Sequence, residues 1–251
     1  MKLYEALGIV PGEIAAFTGA GGKSGAIIHL CRELSSAGLR VLVVPTTKMF
    51  VSEAEKIGSL VSSEDPAELL GLVAESLPTN GGGGALVAGS ARLSKGRISG
   101  VEPEEVPALA ALADVTLVEA DGSRRRPLKG TADHEPAMPE GMTITVAVGG
   151  GWALGHPLDE ETVHRPELFS ELTGILPGHT ITAESFALTL AKGSLKETSE
   201  GSRRAALITG VQPGPGMSGA AVVARELWRL GIRKVVLTSL PFEDPPTVWN
   251  A

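Results

Sequence analysis

The sequence predicts an α/β fold with a doubly wound, mostly parallel sheet of about seven or eight strands. Three observations lead there. Apolar runs such as Val41-Leu42-Val43-Val44 are continuous rather than alternating, as in strands covered on both faces. Such runs alternate along the chain with segments of helical period. Between the first strand and the first helix lies a glycine loop, Thr18-Gly19-Ala20-Gly21-Gly22-Lys23-Ser24.

Taken in order, Leu3 to Leu7 reads as a short helix ended by Gly8. Residues 13–18 form the first strand and 23–37 the first helix, with Ile27, Leu30, Cys31 and Leu34 on one face. Val41 to Val44 is a strand closed by Pro45-Thr46-Thr47-Lys48, and Ser59 to Ser62 a short one. Asp65 to Leu77 is a helix with Leu70, Val73 and Leu77 at helical spacing and Pro66 in its first turn. The run Gly81 to Gly84 reads as a surface loop. Ala85 to Leu93 and Arg97 to Val101 read as a hairpin around Ser94-Lys95-Gly96.

Pro103 to Ala113 follows as a helix, then strands at Val115 to Glu119 and Met142 to Val148, the latter ending in Gly149-Gly150-Gly151. Helices at 165–174 and 183–191, a strand at Ala205 to Thr209, a helix at Gly219 to Leu230 and a closing strand at Lys234 to Thr238 complete the chain. The expectation is one domain over 1–251, with a hairpin insertion at about 85–101 and a helical insertion at about 151–200.

Composition narrows the functional classes. Hydrophobic residues make up 43% and charged residues 20%, as in a globular chain. The formal net charge of −7 opposes a phosphate backbone, so nucleic acid is not the expected partner. A single cysteine, Cys31, allows no intrachain disulfide, and no apolar stretch approaches the ~18 residues of a membrane span. A cytoplasmic protein without a membrane partner is the expectation.

The glycine loop carries the main chemical signal, a phosphate-loop NTPase-like arrangement. Glycines let backbone N–H groups turn toward an anion, and the helix N-terminus adds its positive dipole end. Gly19, Ala20, Gly21, Gly22, Lys23, Ser24 and Gly25 are the expected nucleotide cradle. Lys23 would reach the terminal phosphates and Ser24 would ligate Mg²⁺. Only two residues separate Gly19 from Gly22-Lys23, where the usual loop has four. This shortened form resembles the ATP loop of the Mur ligase family.

Ligands of doubly wound sheets bind beyond the carboxyl ends of the strands, which draws two more motifs to the loop. Thr46-Thr47-Lys48 offers two hydroxyls and an amine for Mg²⁺, a transferable phosphate or a substrate acid; it also reads as a solvated strand end. In the stretch Glu119 to Lys129, Glu119 and Asp121 suit Mg²⁺ coordination or positioning of a water. Arg124, Arg125, Arg126 and Lys129 suit an oxyanion; the alternative is a solvated loop with local charge compensation. The histidines lack zinc-site spacing, and no Gly-x-Ser-x-Gly elbow is present.

These motifs continue into His134-Glu135-Pro136, Leu154-Gly155, Pro157-Leu158 and Val163-His164-Arg165-Pro166-Glu167. Together they resemble the selenium-dependent hydroxylase accessory proteins of the YqeC type, over roughly residues 15 to 190. The resemblance implies a nucleotide-binding protein acting in the maturation of selenium-dependent molybdenum hydroxylases, with a molybdenum hydroxylase or its cofactor- or selenium-delivery proteins as partners. It adds His134, Glu135, His164 and Arg165 to the candidate site. It also implies an Asn-x-x-Asp-like element after the late strand. Here that strand runs into Gly210-Val211-Gln212-Pro213, with no carboxylate for a guanine edge, so ATP is expected over GTP.

Three functions are open on these grounds. The first is Mg²⁺-dependent NTP hydrolysis or phosphoryl transfer, with Lys23, Glu119, Asp121 and Arg124 as catalytic groups and Ser24, Glu119 and Asp121 around the metal. The second is a nucleotide-gated binding or delivery module without fast chemistry. The third is an ATP-dependent ligase-like enzyme, suggested by the shortened loop.

Overall fold

A computed structural model describes residues 1–79, 82–212, 214–242 and 244–249. Gly81, Pro213 and the last two residues of the expected 1–251 domain lie outside the described residues.

Nine strands form the main sheet: β1 (Glu13–Gly19), β2 (Arg40–Pro45), β3 (Ser59–Ser62), β4 (Gly84–Gly89), β5 (Val115–Glu119), β6 (Ile144–Gly150), β7 (Arg203–Thr209), β8 (Lys234–Leu237) and β9 (Thr247–Trp249). Their order is β9-β8-β7-β6-β1-β5-β2-β4-β3. Every pairing is parallel except β8 with β9. The helices are α1 (Leu3–Leu7), α2 (Lys23–Ser36), α3 (Val51–Ile57), α4 (Pro66–Ser76), α5 (Val106–Ala110), α6 (Pro166–Thr173), α7 (Ala183–Leu188) and α8 (Pro215–Arg229).

The continuous apolar strands are explained by helices on both faces. Ala15, Phe17, Val41, Val43, Val146 and Val148 pack with Ile27, Leu30, Cys31 and Leu34 of α2. Their neighbours along the strands face the other way. Ala16, Leu42, Val44 and Val118 meet Leu69 and Val73 of α4, while Ala147, Ala206 and Ile208 meet Phe169, Phe186, Val223 and Leu227 of α6 to α8. Burial without a charged partner pushes the Cys31 thiol up to about 12, so it packs as a small apolar group. Caps set several helix ends: Asp65 accepts the amides of Ala67 and Glu68, and Gly8 closes α1 in the left-handed conformation.

The structure corrects the sequence reading in several places. Residues 84–89 enter the main sheet beside Arg40 to Val43 instead of forming a hairpin arm. The hairpin is confined to Arg92–Leu93 against Arg97–Ile98, and Met49–Phe50 adds a third strand to it. Residues 103–113 break into a 3-10 turn, Pro103–Glu105, and the short α5, where Pro107 occupies the first turn. On α4 the buried pair is Leu69 and Val73, while Leu70 faces outward. The segment 183–191 is helical throughout, but it changes from α-helix to π-helix after Leu188, the π-helix running over Thr189–Ser194. The strand at 234 is not the last: Thr247–Trp249 returns antiparallel along its edge. A separate two-residue parallel pair joins Leu128–Lys129 to Val163–His164. Pairings this short carry no readable period.

Candidate functional site

Parallel register brings the candidate motifs to one end of the sheet. Phe17 of β1 and Pro45 of β2 both pair with Glu119 of β5, and Gly19 pairs with Val148 of β6. The residues leaving β1, β2, β5 and β6 therefore emerge side by side. The chain runs outward from β1 through β2 to β3, returns at β5, then crosses to β6 on the other side. That reversal is where doubly wound sheets open a crevice.

The glycine loop is pinned from behind. The Gly19 amide donates to Asp121 Oδ2 at 2.8 Å, the Ala20 amide to the Val148 carbonyl at 2.9 Å and the Gly21 amide to the Arg126 carbonyl at 2.9 Å. Thr209 Oγ1 donates to the Gly21 carbonyl. Gly21 lies so close to β6 that a Cβ there would fall 2.2 Å from the Gly150 nitrogen, and its φ is +77°. Both facts demand glycine. The next four amides, of Gly22, Lys23, Ser24 and Gly25, have no protein acceptor among the described residues. They are the first-turn donors that α2 cannot satisfy itself, and their residues line a cleft.

Lys23 is buried and points back under the loop. Its ammonium donates to the Gly19 carbonyl and lies 2.9 Å from Asp121 Oδ1, a charge contact rather than a directed hydrogen bond. Asp121 holds Lys129 at 3.1 Å on its other oxygen, Lys129 holds Glu135 at 2.7 Å, and Glu135 pairs with Arg165. Three cations thus share two carboxylates in one chain of contacts. The Lys129 to Arg165 end is built by the parallel pair of Leu128–Lys129 with Val163–His164. Gly130 permits it: a Cβ there would sit 2.5 Å from the Arg165 carbonyl. The cations beside Glu135 hold its carboxyl below the usual range against the opposing effect of burial. Burial pushes the His164 imidazole down, helped by the neighbouring Arg165, Lys129 and Arg124, so it is neutral at pH 7.

Glu119 lies beside Ser24 at the start of α2. Burial raises its carboxyl to about 7, with Glu53 adding to the rise and Lys23 opposing it. Ser24 Oγ donates to its oxygens at 3.1 and 3.3 Å. A serine hydroxyl beside one carboxylate, next to open amides, suits Mg²⁺ carried by a phosphate, because Mg²⁺ takes few protein ligands. Among the described residues no cluster of three or more His, Cys, Asp or Glu side chains could hold a metal by itself. Asp121 is engaged by two lysines and the Gly19 amide, and so orients the loop.

The cleft has a volume of about 1110 Å³. Of the residues singled out in the sequence, Gly21 to Gly25, Thr46 to Lys48, Glu119, Asp121, Arg124, Arg125, His134, Glu135, His164 and Arg165 line it. Gly19, Ala20, Arg126 and Lys129 are not among the lining residues; Lys129 is wholly buried behind Asp121. Thr46 donates its hydroxyl to the Ala137 carbonyl at 2.6 Å and closes a loop there. Sequence reasoning missed Trp152, which lines the cleft while 42% exposed, and Phe50, Glu53 and Arg97, which line it too. A tryptophan directly after Gly149-Gly150-Gly151 at a strand's carboxyl end was the available signal.

Known proteins place this architecture in context. A family model described as YqeC protein matches residues 15–167, the stretch that contains the loop, the acidic strand end and the His164-Arg165 element. A protein of Escherichia coli (strain K12) described as "Uncharacterized protein YqeC" is 33% identical over 195 residues, covering 76% of this chain and 73% of that protein. The chain belongs to the YqeC family.

Proposed function

We propose that this protein binds a Mg²⁺-nucleoside triphosphate at the N-terminus of α2 and hydrolyses or transfers its terminal phosphate. The observation that carries the reading is the set of open amides of Gly22 to Gly25, facing the cleft beside the Ser24–Glu119 pair. Backbone donors fixed in advance, at the positive end of a helix, are the physical requirement for holding phosphate.

Asp121 and the Gly19 carbonyl keep Lys23 under the loop, where its charge adds to the field at the phosphates. Ser24 and Glu119 would hold Mg²⁺, which supplies charge neutralisation on the phosphate oxygens when bound. At pH 7 Glu119 stands near half ionisation and is poised to give up its proton as a cation arrives. ATP is the proposed nucleotide because no carboxylate follows β7 to meet a guanine edge. Family resemblance extends the proposal to a role in maturing selenium-dependent molybdenum hydroxylases.

Thermal melting with ATP, GTP, ADP and GDP, each with Mg²⁺, tests the reading. A ligand at 100 times its dissociation constant adds about 2.7 kcal/mol of stability. No shift with any nucleotide refutes it. Phosphate release measured with and without a hydroxylase apoprotein separates an NTPase from a nucleotide-gated module.

A further inference from the structure

At about 1110 Å³ the cleft lies at the upper end of small-molecule pockets, which run to roughly 300–1,000 Å³. Its second wall has its own chemistry. The lining holds six Lys or Arg side chains (Lys23, Lys48, Arg97, Arg124, Arg125, Arg165) and five carboxylates (Glu53, Glu102, Glu119, Asp121, Glu135). Asp121 and Glu135 are engaged by Lys23, Lys129 and Arg165. Four exposed cations, Lys48, Arg97, Arg124 and Arg125, have no salt-bridge partner among the described residues. Arg97 and Arg125 both lie over the Phe50 ring, at 4.6 and 5.1 Å from its centroid. Two like charges thus share one aromatic ring.

The backbone adds a second, independent observation. Arg124 and Arg125 have φ of +47° and +61°, and the Arg126 amide closes their turn on the Ser123 carbonyl at 2.9 Å. Turns with two left-handed central residues favour Asn-Gly; a non-glycine residue held in that region costs about 1–3 kcal/mol. The strain presents both guanidinium groups to the cleft, and the turn is tied to the glycine loop through the Arg126 carbonyl.

We propose that Lys48, Arg97, Arg124 and Arg125 form a second anion subsite, which holds the phosphate group of a phosphorylated substrate opposite the nucleotide. Arginine forks match phosphate oxygens in pairs. The inference rests on the nucleotide reading only for the identity of the first ligand.

The test is titration of inorganic phosphate, by calorimetry, into protein saturated with Mg²⁺ and the non-hydrolysable β,γ-imido analogue of ATP. Wild-type protein is expected to bind one equivalent. The double variant Arg124→Asn/Arg125→Gly relieves the turn, so it should melt no lower than wild type and still bind the analogue. Its affinity for phosphate should fall about tenfold or more, the loss expected for a charge-assisted contact. No phosphate equivalent on the saturated protein, or undiminished binding in the variant, overturns the proposal. If the analogue itself does not bind, the nucleotide reading fails alone, and the titration is run on the nucleotide-free protein. There the subsite stands if the turn variant loses phosphate and Lys23→Met keeps it, and falls if the two results are reversed.

Discussion

Asp121 is the residue whose removal should tell most about how the site is held. It is 1% exposed, accepts the Gly19 amide and lies against two buried ammonium groups. Asp121→Ala leaves Lys129 with Glu135 but leaves Lys23 with only the Gly19 carbonyl. Breaking a buried ion pair by removing one partner costs about 3–5 kcal/mol, and an orphaned buried amide about 1–3 kcal/mol. These terms overlap, because water or the lysines will reach some of the freed donors, so a loss of about 4 kcal/mol is expected. For a chain of this size that corresponds to roughly 8–16 °C in melting temperature. Urea unfolding at pH 7 in low salt and in 0.5 M salt reads it out. The loss should persist in salt, since buried charges are poorly screened. Asp121→Ala/Lys23→Met, which removes the stranded charge, should recover more than half of it. A loss below about 1 kcal/mol, or no recovery in the double variant, would refute the claim that Asp121 neutralises the chamber beneath the loop.

Other outcomes follow from the same geometry. Lys23→Met should abolish Mg²⁺-dependent phosphate release while melting confirms a folded protein; retained turnover sinks Lys23 as a phosphate-site residue. Because the Glu119 carboxyl is raised to about 7, the native state binds a proton that the unfolded chain has already released, so this residue's contribution to stability falls as pH rises from about 4.5 to 7. Glu119→Gln should flatten that part of the stability profile. It should also remove the tightening of Mg²⁺-nucleotide binding expected between pH 6 and 8; a wild-type affinity independent of pH in that range counts against Glu119 as the metal ligand. Gly21→Ala should destabilise strongly, because its methyl group meets the Gly150 backbone in a left-handed conformation, and a melting temperature equal to wild type would show that the loop is not so tightly docked. Nucleotide binding should quench Trp152 fluorescence, and the quench should vanish in Trp152→Phe but survive changes to Trp228.

Much of the site was legible because its chemistry is local. The loop from Gly19 to Ser24, the carboxylates Glu119 and Asp121 and the basic stretch after them are each contiguous, and the rule that ligands meet strand ends was enough to group them. The charge states were not legible. Nothing in the sequence says that Lys129, beside three arginines, turns inward to Asp121 and Glu135 while Arg124 and Arg125 turn outward. Nor does it say that Arg97, 28 residues before Arg125, shares the Phe50 ring with it. Only the three-strand sheet of Met49–Phe50, Arg97–Ile98 and Arg92–Leu93 brings them together, through pairings too short to carry a period.

By itself the sequence determined the fold class and the helix and strand sequence around the loop, and it singled out the loop as the candidate anion cradle. Those depend on period, glycine and charge within a few residues of one another. The tertiary structure decided which loop amides remain open and which are spent on Asp121, Val148 and Arg126. It also decided that Lys23 is a buried, paired cation, and that Glu119 titrates near neutrality. These are properties of burial and of partners about 100 residues away in sequence, fixed only when β1, β5 and β6 align in register.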